Sequence, residues 1–179
     1  MPGPGEPSGS IRRASGATIR RARVADATAL ARLRWDHCLE LDEFGADGGA
    51  RIEPAAFAEA FQRFIADALA SGHWAVWIAE SDGAAVGTAS LQLVPMVPSP
   101  WRVSRSFGYV TSVQVDPPWR GRGLGHELMD AVRAFAREHD AELLLLWPGG
   151  ESLGFYLRLG FARGEGAVEQ ALSDRPAQR

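Results

Sequence analysis

Lysine is absent from this chain of 179 residues, so all nineteen of its basic residues are arginine. That excludes a lysine Schiff base, a lysine general base and the lysine of a P-loop. Cysteine occurs once, as Cys38, so no internal disulfide forms; this suits a reducing compartment, and a cytoplasmic location is expected. His37, His73, His126 and His139 show no metal-ligand spacing and Cys38 has no partner thiol, so no metal is expected. No apolar run approaches the roughly 18 residues of a membrane span, and the N-terminus lacks the apolar stretch of a secretory signal. There is no basic excess either. The formal net charge of −3 argues against a nucleic-acid partner, so any anion site must be local.

What is present is a chain that is 46% hydrophobic, of a length that suits one domain burying about two-thirds of its unfolded surface. Residues 1–16, rich in Pro, Gly and Ser, read as a mobile tail, which leaves 17–179 as the folded domain. A short strand over 17–21 leads to Asp26 as a helix N-cap. Leu30, Leu33, Cys38 and Leu41 then predict a helix over about 26–44, broken by Gly45 to Gly49. Pro54 opens a second helix, with Phe57, Phe61, Phe64, Ile65 and Leu69 on one face and Gly72 at its end. The period then changes to two. Residues 73–80 and 84–94 read as strands joined at Asp82-Gly83, and 106–115 as a further strand stopped by Asp116-Pro117-Pro118. Leu124, Leu128, Val132 and Phe135 mark an amphipathic helix. Residues 142–147, apolar almost throughout, predict a strand covered on both faces, followed by a short helix near 152–159, Gly160 as its stop and a hairpin over 161–172. The whole reads as one α/β domain with a mixed sheet of six to seven strands and helices on both faces.

The chemistry concentrates in Val113-Gln114-Val115-Asp116-Pro117-Pro118-Trp119-Arg120-Gly121-Arg122-Gly123-Leu124-Gly125-His126. A strand ends, and glycines bring bare backbone N–H groups to the start of a helix. There, unpaired donors and the positive end of the helix dipole favour an anion. Arg120 and Arg122 supply charge able to pair with phosphate. Three glycines and two arginines in six residues exceed what a plain turn requires. Neither common nucleotide loop fits: the third glycine of a Rossmann turn would fall on His126, and a P-loop needs lysine.

Arg120-Gly-Arg-Gly123-Leu-Gly125 resembles the signature [R/Q]-x-x-G-x-[G/A] of the GCN5-related N-acetyltransferase family, and Gly154-Phe-Tyr156-Leu-Arg-Leu-Gly160-Phe161 resembles a second block of that family. The order of strands and helices from 17 to 172 resembles the family fold. The resemblance implies acetyl-CoA as co-substrate. Its pantetheine arm would lie against the backbone of Val113, Gln114 and Val115, and its pyrophosphate on the amides of 121–126. Tyr156 would protonate the departing thiolate, as a phenol neutral at pH 7 is able to do. Where the family often has asparagine this chain has Gly149, so Ser152 or Glu151 is expected to supply the missing contact.

The general base is left open among Glu43, Glu80 and Glu151, with Thr111 and Ser112 as groups to order a water. Trp35 and the 95–105 loop, with Trp101, Arg102 and Arg105, are candidate walls of an acceptor pocket. Gly150-Glu-Ser152-Leu-Gly154 fits a nucleophile elbow, yet no histidine follows Ser152, which removes the hydrolase triad. The expected activity is therefore acyl transfer from acetyl-CoA to a small-molecule or peptide primary amine, with oligomeric state open, a homodimer included. The rivals are a non-catalytic acyl-CoA-binding module and an enzyme of the same fold with another donor.

Overall fold

A computed structural model of the chain describes residues 11–12, 15–40, 52–149 and 152–164. Its strands are β1 (Ile11–Arg12), β2 (Thr18–Arg21), β3 (Trp74–Ser81), β4 (Ala84–Pro95), β5 (Ser106–Val115) and β6 (Ala141–Leu145). The helices are α1 (Ala27–Glu40), α2 (Pro54–Ala70), α3 (Leu124–Glu138) and α4 (Leu153–Arg158). The strands form one sheet in chain order, β1 to β6. Every pairing is antiparallel except β5 with β6, which α3 connects as a parallel crossover.

Strand alternation divides the core in two. Ala75, Trp77 and Ala79 of β3 face α3, where Leu124, Leu128, Met129, Val132 and Ala136 recur at three- and four-residue steps. Val76 and Ile78 face the opposite way, onto Leu30 and Leu33 of α1 and Ile65 of α2. The phenylalanine stripe of α2 forms a ladder of rings rather than deep core. Trp35, Phe57, Phe61, Phe64 and Trp74 follow one another at centroid distances of 5.3, 5.6, 6.2 and 5.3 Å, tying α1, α2 and β3 together.

Several expectations need correction. Part of the segment read as a tail is ordered into the fold: Ile11 and Arg12 pair with Ile19 and Thr18, and the buried Ser15 hydroxyl donates to Glu127 at 2.6 Å. Asp26 does not cap α1. It closes a single 3₁₀ turn, Val24–Asp26, by accepting the Arg23 N–H at 2.7 Å, and its carboxylate is gripped by Arg20 at 2.7 and 2.8 Å. β6 is not covered on both faces: Glu142 and Leu143 are exposed, Leu143 to 55%, because β5 is the strand's single partner among the described residues. The end of the first predicted helix beyond Glu40, its break at Gly45 to Gly49 and most of the predicted final hairpin lie outside the described residues.

Candidate active site

β5 is where the sheet opens. Ser106, Gly108 and Tyr109 pair with Ala141, Leu144 and Leu145, and there the β6 pairing ends. On its other side β5 stays paired with β4 as far as Val115. Among the described residues the strand thus has no partner on the β6 side from Val110 to Val115, which leaves an edge with backbone groups available to an extended ligand. Gly108 sits at the last close contact. A Cβ there would stand 2.6 Å from Leu144 Cδ2 and 2.7 Å from Leu91 Cδ1, so glycine leaves room for the two leucine side chains that close over it.

The same stretch carries a β-bulge. Thr88 pairs with Gln114 and Ser90 with Thr111, so one extra residue is inserted in β5, and Ser112 takes up the irregularity with φ of 50°. The bulge inverts the facing of everything after it. Val110, Val113 and Val115 all lie on the α3 side, whereas Gln114 turns beneath α1. No residue pattern in the strand announces this; a positive φ at a serine, costing on the order of 1 kcal/mol, is set by the packing around it.

Beyond β5 a 3₁₀ turn, Pro117–Trp119, delivers the chain to Arg120 and the glycines. Gly121 and Gly123 have φ of +74° and +84°, a region that costs other L-residues about 1–2 kcal/mol. Gly125 is held from below, since a Cβ there would lie 3.2 Å from the Phe155 ring. Among the described residues no protein acceptor engages the amides of Gly121, Arg122, Gly123, Leu124 or Gly125. The His126 amide is different: it donates to the Gly123 carbonyl at 2.9 Å, so the donor set narrows to 121–125. The His126 ring stands edge-on to Phe155, with centroids 5.3 Å apart.

The two arginines of the motif differ in their partners. Arg120 donates from Nε to the Val115 carbonyl at 2.9 Å and grips both oxygens of Glu40, so it fastens the end of α1 to the loop rather than standing free for phosphate. This pair holds the Glu40 carboxyl below, and the Arg120 guanidinium above, their ordinary ranges. The Arg122 guanidinium lies over the Trp119 ring at 5.1 Å. With Arg120 balanced by Glu40, the positive groups left to the loop are its backbone dipoles and the Arg122 guanidinium.

Tyr156, on α4, joins the apolar cluster that Val113 and Val115 pack against, and is 9% exposed. Its ring meets Phe155 at 5.0 Å and Phe161 at 5.7 Å. Burial pushes its phenol up to about 12, so it is neutral at pH 7 and able to donate. Ser152 does not offer a free hydroxyl proton, because its Oγ donates to the Gly149 carbonyl at 2.6 Å.

Other candidates disperse. Glu80 accepts from Arg20 at 2.6 and 2.9 Å at the far end of β3. Glu43 and Glu151 lie outside the described residues. Trp35 packs at a tilt against Phe57, Trp101 is 90% exposed, and Arg102 and Arg105 both bind Glu142. Among the described residues no group of three or more His, Cys, Asp or Glu is placed to hold a metal, and no helix is long and apolar enough to cross a membrane.

Comparison with known proteins agrees with this geometry. Over 86 residues the chain is 35% identical to glucosamine 6-phosphate N-acetyltransferase of Trypanosoma brucei brucei, a match covering 48% of this chain and 56% of that one. The chain thus spans about half the length of that curated relative. The fold superimposes on a predicted acetyltransferase of Clostridium acetobutylicum solved with acetyl-CoA, with TM-score 0.75, 20% identity, and coverage of 90% of this chain and 99% of that one. A GCN5-related N-acetyltransferase of Ralstonia eutropha gives TM-score 0.69 at 24% identity, covering 88% and 100%. A family model for the acetyltransferase (GNAT) family matches residues 30–161, spanning the splayed strand, the glycine turn and Tyr156. With its sheet, its parted strands and its signature loop all in place, the chain belongs to the acetyltransferase (GNAT) family.

Proposed function

We propose that this chain is an acyl-CoA-dependent N-acyltransferase that moves acetyl from acetyl-CoA to a primary amine, by direct attack with both substrates bound. The observation that carries this reading is that, among the described residues, the β6-side edge of β5 over 110–115 and the five amides at 121–125 that follow it are unengaged. An extended arm with amide groups adds to such an edge as a strand would, and a diphosphate at its end meets the N-terminus of α3.

The division of labour follows. The backbone of Val113 to Val115 fixes the donor arm, and alignment of amine and thioester supplies up to roughly 7–11 kcal/mol of the barrier reduction. The Val113 N–H is the donor for the carbonyl oxygen as it becomes an oxyanion, a role whose loss costs about 10²–10³ in rate elsewhere. The amine nitrogen forms a bond to the acyl carbon, the carbon–sulfur bond breaks, and the proton lost by the amine ends on sulfur. Tyr156 serves the departing sulfur. With its phenol at about 12, above the roughly 8.5 of an ordinary thiol, it stabilises the thiolate first by hydrogen bonding, full proton transfer following from solvent or the amine.

The test is thiol release from acetyl-CoA across a panel of amines, with Tyr156→Phe as control. Acceptor-dependent release that falls by about 10²-fold in the variant supports the reading. Tight acetyl-CoA binding with no release for any amine would favour the non-catalytic module. That rival draws on Gly149, where the family's asparagine contact to the donor is missing, and on the Ser152 hydroxyl, which gives its proton to the Gly149 carbonyl.

A further inference from the structure

We infer that a small cavity beneath α1 takes the acceptor and selects an amine bearing a second, positively charged group, a linear diamine being the simplest case. This rests on the acyltransferase reading for the ligand's role as acceptor; the cavity itself stands on independent observations. It has a volume of about 230 Å³ and lies between the last turns of α1 and the end of β5. It opens on the α1 side of the same stretch of β5 whose free edge faces β6.

The first observation is Gln114. It is 5% exposed and lines this cavity, yet neither its amide oxygen nor its amide nitrogen has a hydrogen-bond partner. Buried amides are almost always satisfied, and an unmet one penalises the fold. A ligand that donates to Oε1 removes that penalty on binding, and an ammonium group is such a donor.

The second observation is a charge count. Asp36, Glu40 and Asp116 bring three carboxylates to the cavity, and two guanidiniums serve them. Arg32 bonds Asp36 at 3.0 Å and reaches Asp116 at 3.4 Å, while Arg120 is committed to Glu40. Among the described residues three carboxylates thus face two guanidiniums, with the His37 imidazole on the same wall. An ammonium group complements a rim rich in carboxylates, whereas a phosphorylated acceptor would add like charge to it. The side chains of Leu33 and Pro117 supply the apolar wall that a methylene chain needs.

The two ends of a diamine then take separate parts. One stays protonated against Gln114 and the carboxylates. The other, neutral, attacks the thioester on the neighbouring side of the strand: nitrogen–carbon forms, carbon–sulfur breaks, and the proton from the attacking nitrogen ends on the thiol.

The experiment compares 1,4-diaminobutane, butylamine and glucosamine 6-phosphate. Initial rates are measured with saturating acetyl-CoA, and direct binding by calorimetry with the protein alone and with CoA. The diamine is expected to show a KM at least about tenfold below that of butylamine, a difference equal to one ion pair in a partly desolvated site. Gln114→Leu should raise the diamine KM about tenfold with a smaller change in kcat, while raising the thermal midpoint, because an apolar group of similar size replaces an unmet amide. Asp36→Asn combined with Asp116→Asn, with the thermal midpoint followed alongside, should weaken the diamine about tenfold and change butylamine far less. Equal KM values for diamine and monoamine, preference for the phosphosugar, or diamine binding indifferent to these changes would overturn the inference. Acetylation of amines without diamine preference removes this inference and leaves acyl transfer standing. Diamine binding through Gln114 without any transfer does the reverse.

Discussion

The two sides of β5 beyond the bulge are built of different material. Towards β6 the site is main chain: a free strand edge, five amides and glycines held at positive φ, with Tyr156 as the one polar side chain in an apolar cluster. Towards α1 it is side chain: an unmet amide, three carboxylates and a guanidinium clamp. A main-chain site tolerates variation at most positions but not where glycine is required. A side-chain site changes its ligand whenever its residues change. One side thus suits a donor common to a family, and the other suits an acceptor particular to one member.

The sharpest way to break this contrast is Gly123→Glu. Strain at φ of +84° and a carboxylate set against the amides should weaken CoA binding by at least about 100-fold, with calorimetry as the readout and far-UV circular dichroism unchanged. Retained affinity would mean that the amides of the loop do not hold the diphosphate.

Tyr156→Phe comes next, with kcat lowered about 10²-fold and acetyl-CoA affinity held within a few-fold. This residue also carries a pH signature. Its phenol is raised from 10.0 to about 12 by burial, so the unfolded chain ionises first. Stability from this group is intact below pH 10 and is lost as pH rises towards 12. Urea titrations at pH 9 and above should show that loss in the parent and not in the phenylalanine variant.

A charge cluster away from both sides serves as the control. Asp26 is held below its ordinary range by hydrogen bonds from Arg20 and the Arg23 amide. Asp26→Asn should cost about 1–2 kcal/mol in denaturant unfolding near neutral pH without touching either substrate's binding. The parent's advantage is present above about pH 4 and disappears as pH falls through the depressed value, where the carboxyl protonates. The smallest effect is expected from Glu40→Gln. The pair with Arg120 is largely solvated, so stability should fall by no more than about 1 kcal/mol. If Arg120 is a strut between α1 and the loop, CoA affinity should move by only about threefold; a large gain would show that Glu40 was withholding Arg120 from phosphate.

Much of this was legible in residue order. Asp82-Gly83 between alternating runs predicts the β3–β4 hairpin, Pro54 predicts the start of α2, and the spacing of Leu124, Leu128 and Val132 predicts α3, because these are local preferences of turn, cap and period. The glycine loop was legible for the same reason: positive φ and bare amides are written into Gly121 and Gly123. What failed depended on neighbours distant in sequence. Residues 142–147 look like a central strand, yet β6 stands half exposed, since apolar content does not say how many strands will flank it. Arg120 looks like a free cation, yet Glu40, eighty residues away, grips its guanidinium.

Taken alone, then, the order of residues determined most of the elements, a glycine loop at a helix start, and the absence of lysine and asparagine from any role in the chemistry. Only the tertiary structure decided which face Gln114 would see. A regular strand would have put Val110 and Gln114 on one side; one extra residue at Ser112, forced by the register between β4 and β5, turned the amide under α1 and set it among carboxylates drawn from a helix and a strand end. Side-chain period is two, so a single inserted residue reverses a face, and that insertion is a property of the pairing rather than of either strand.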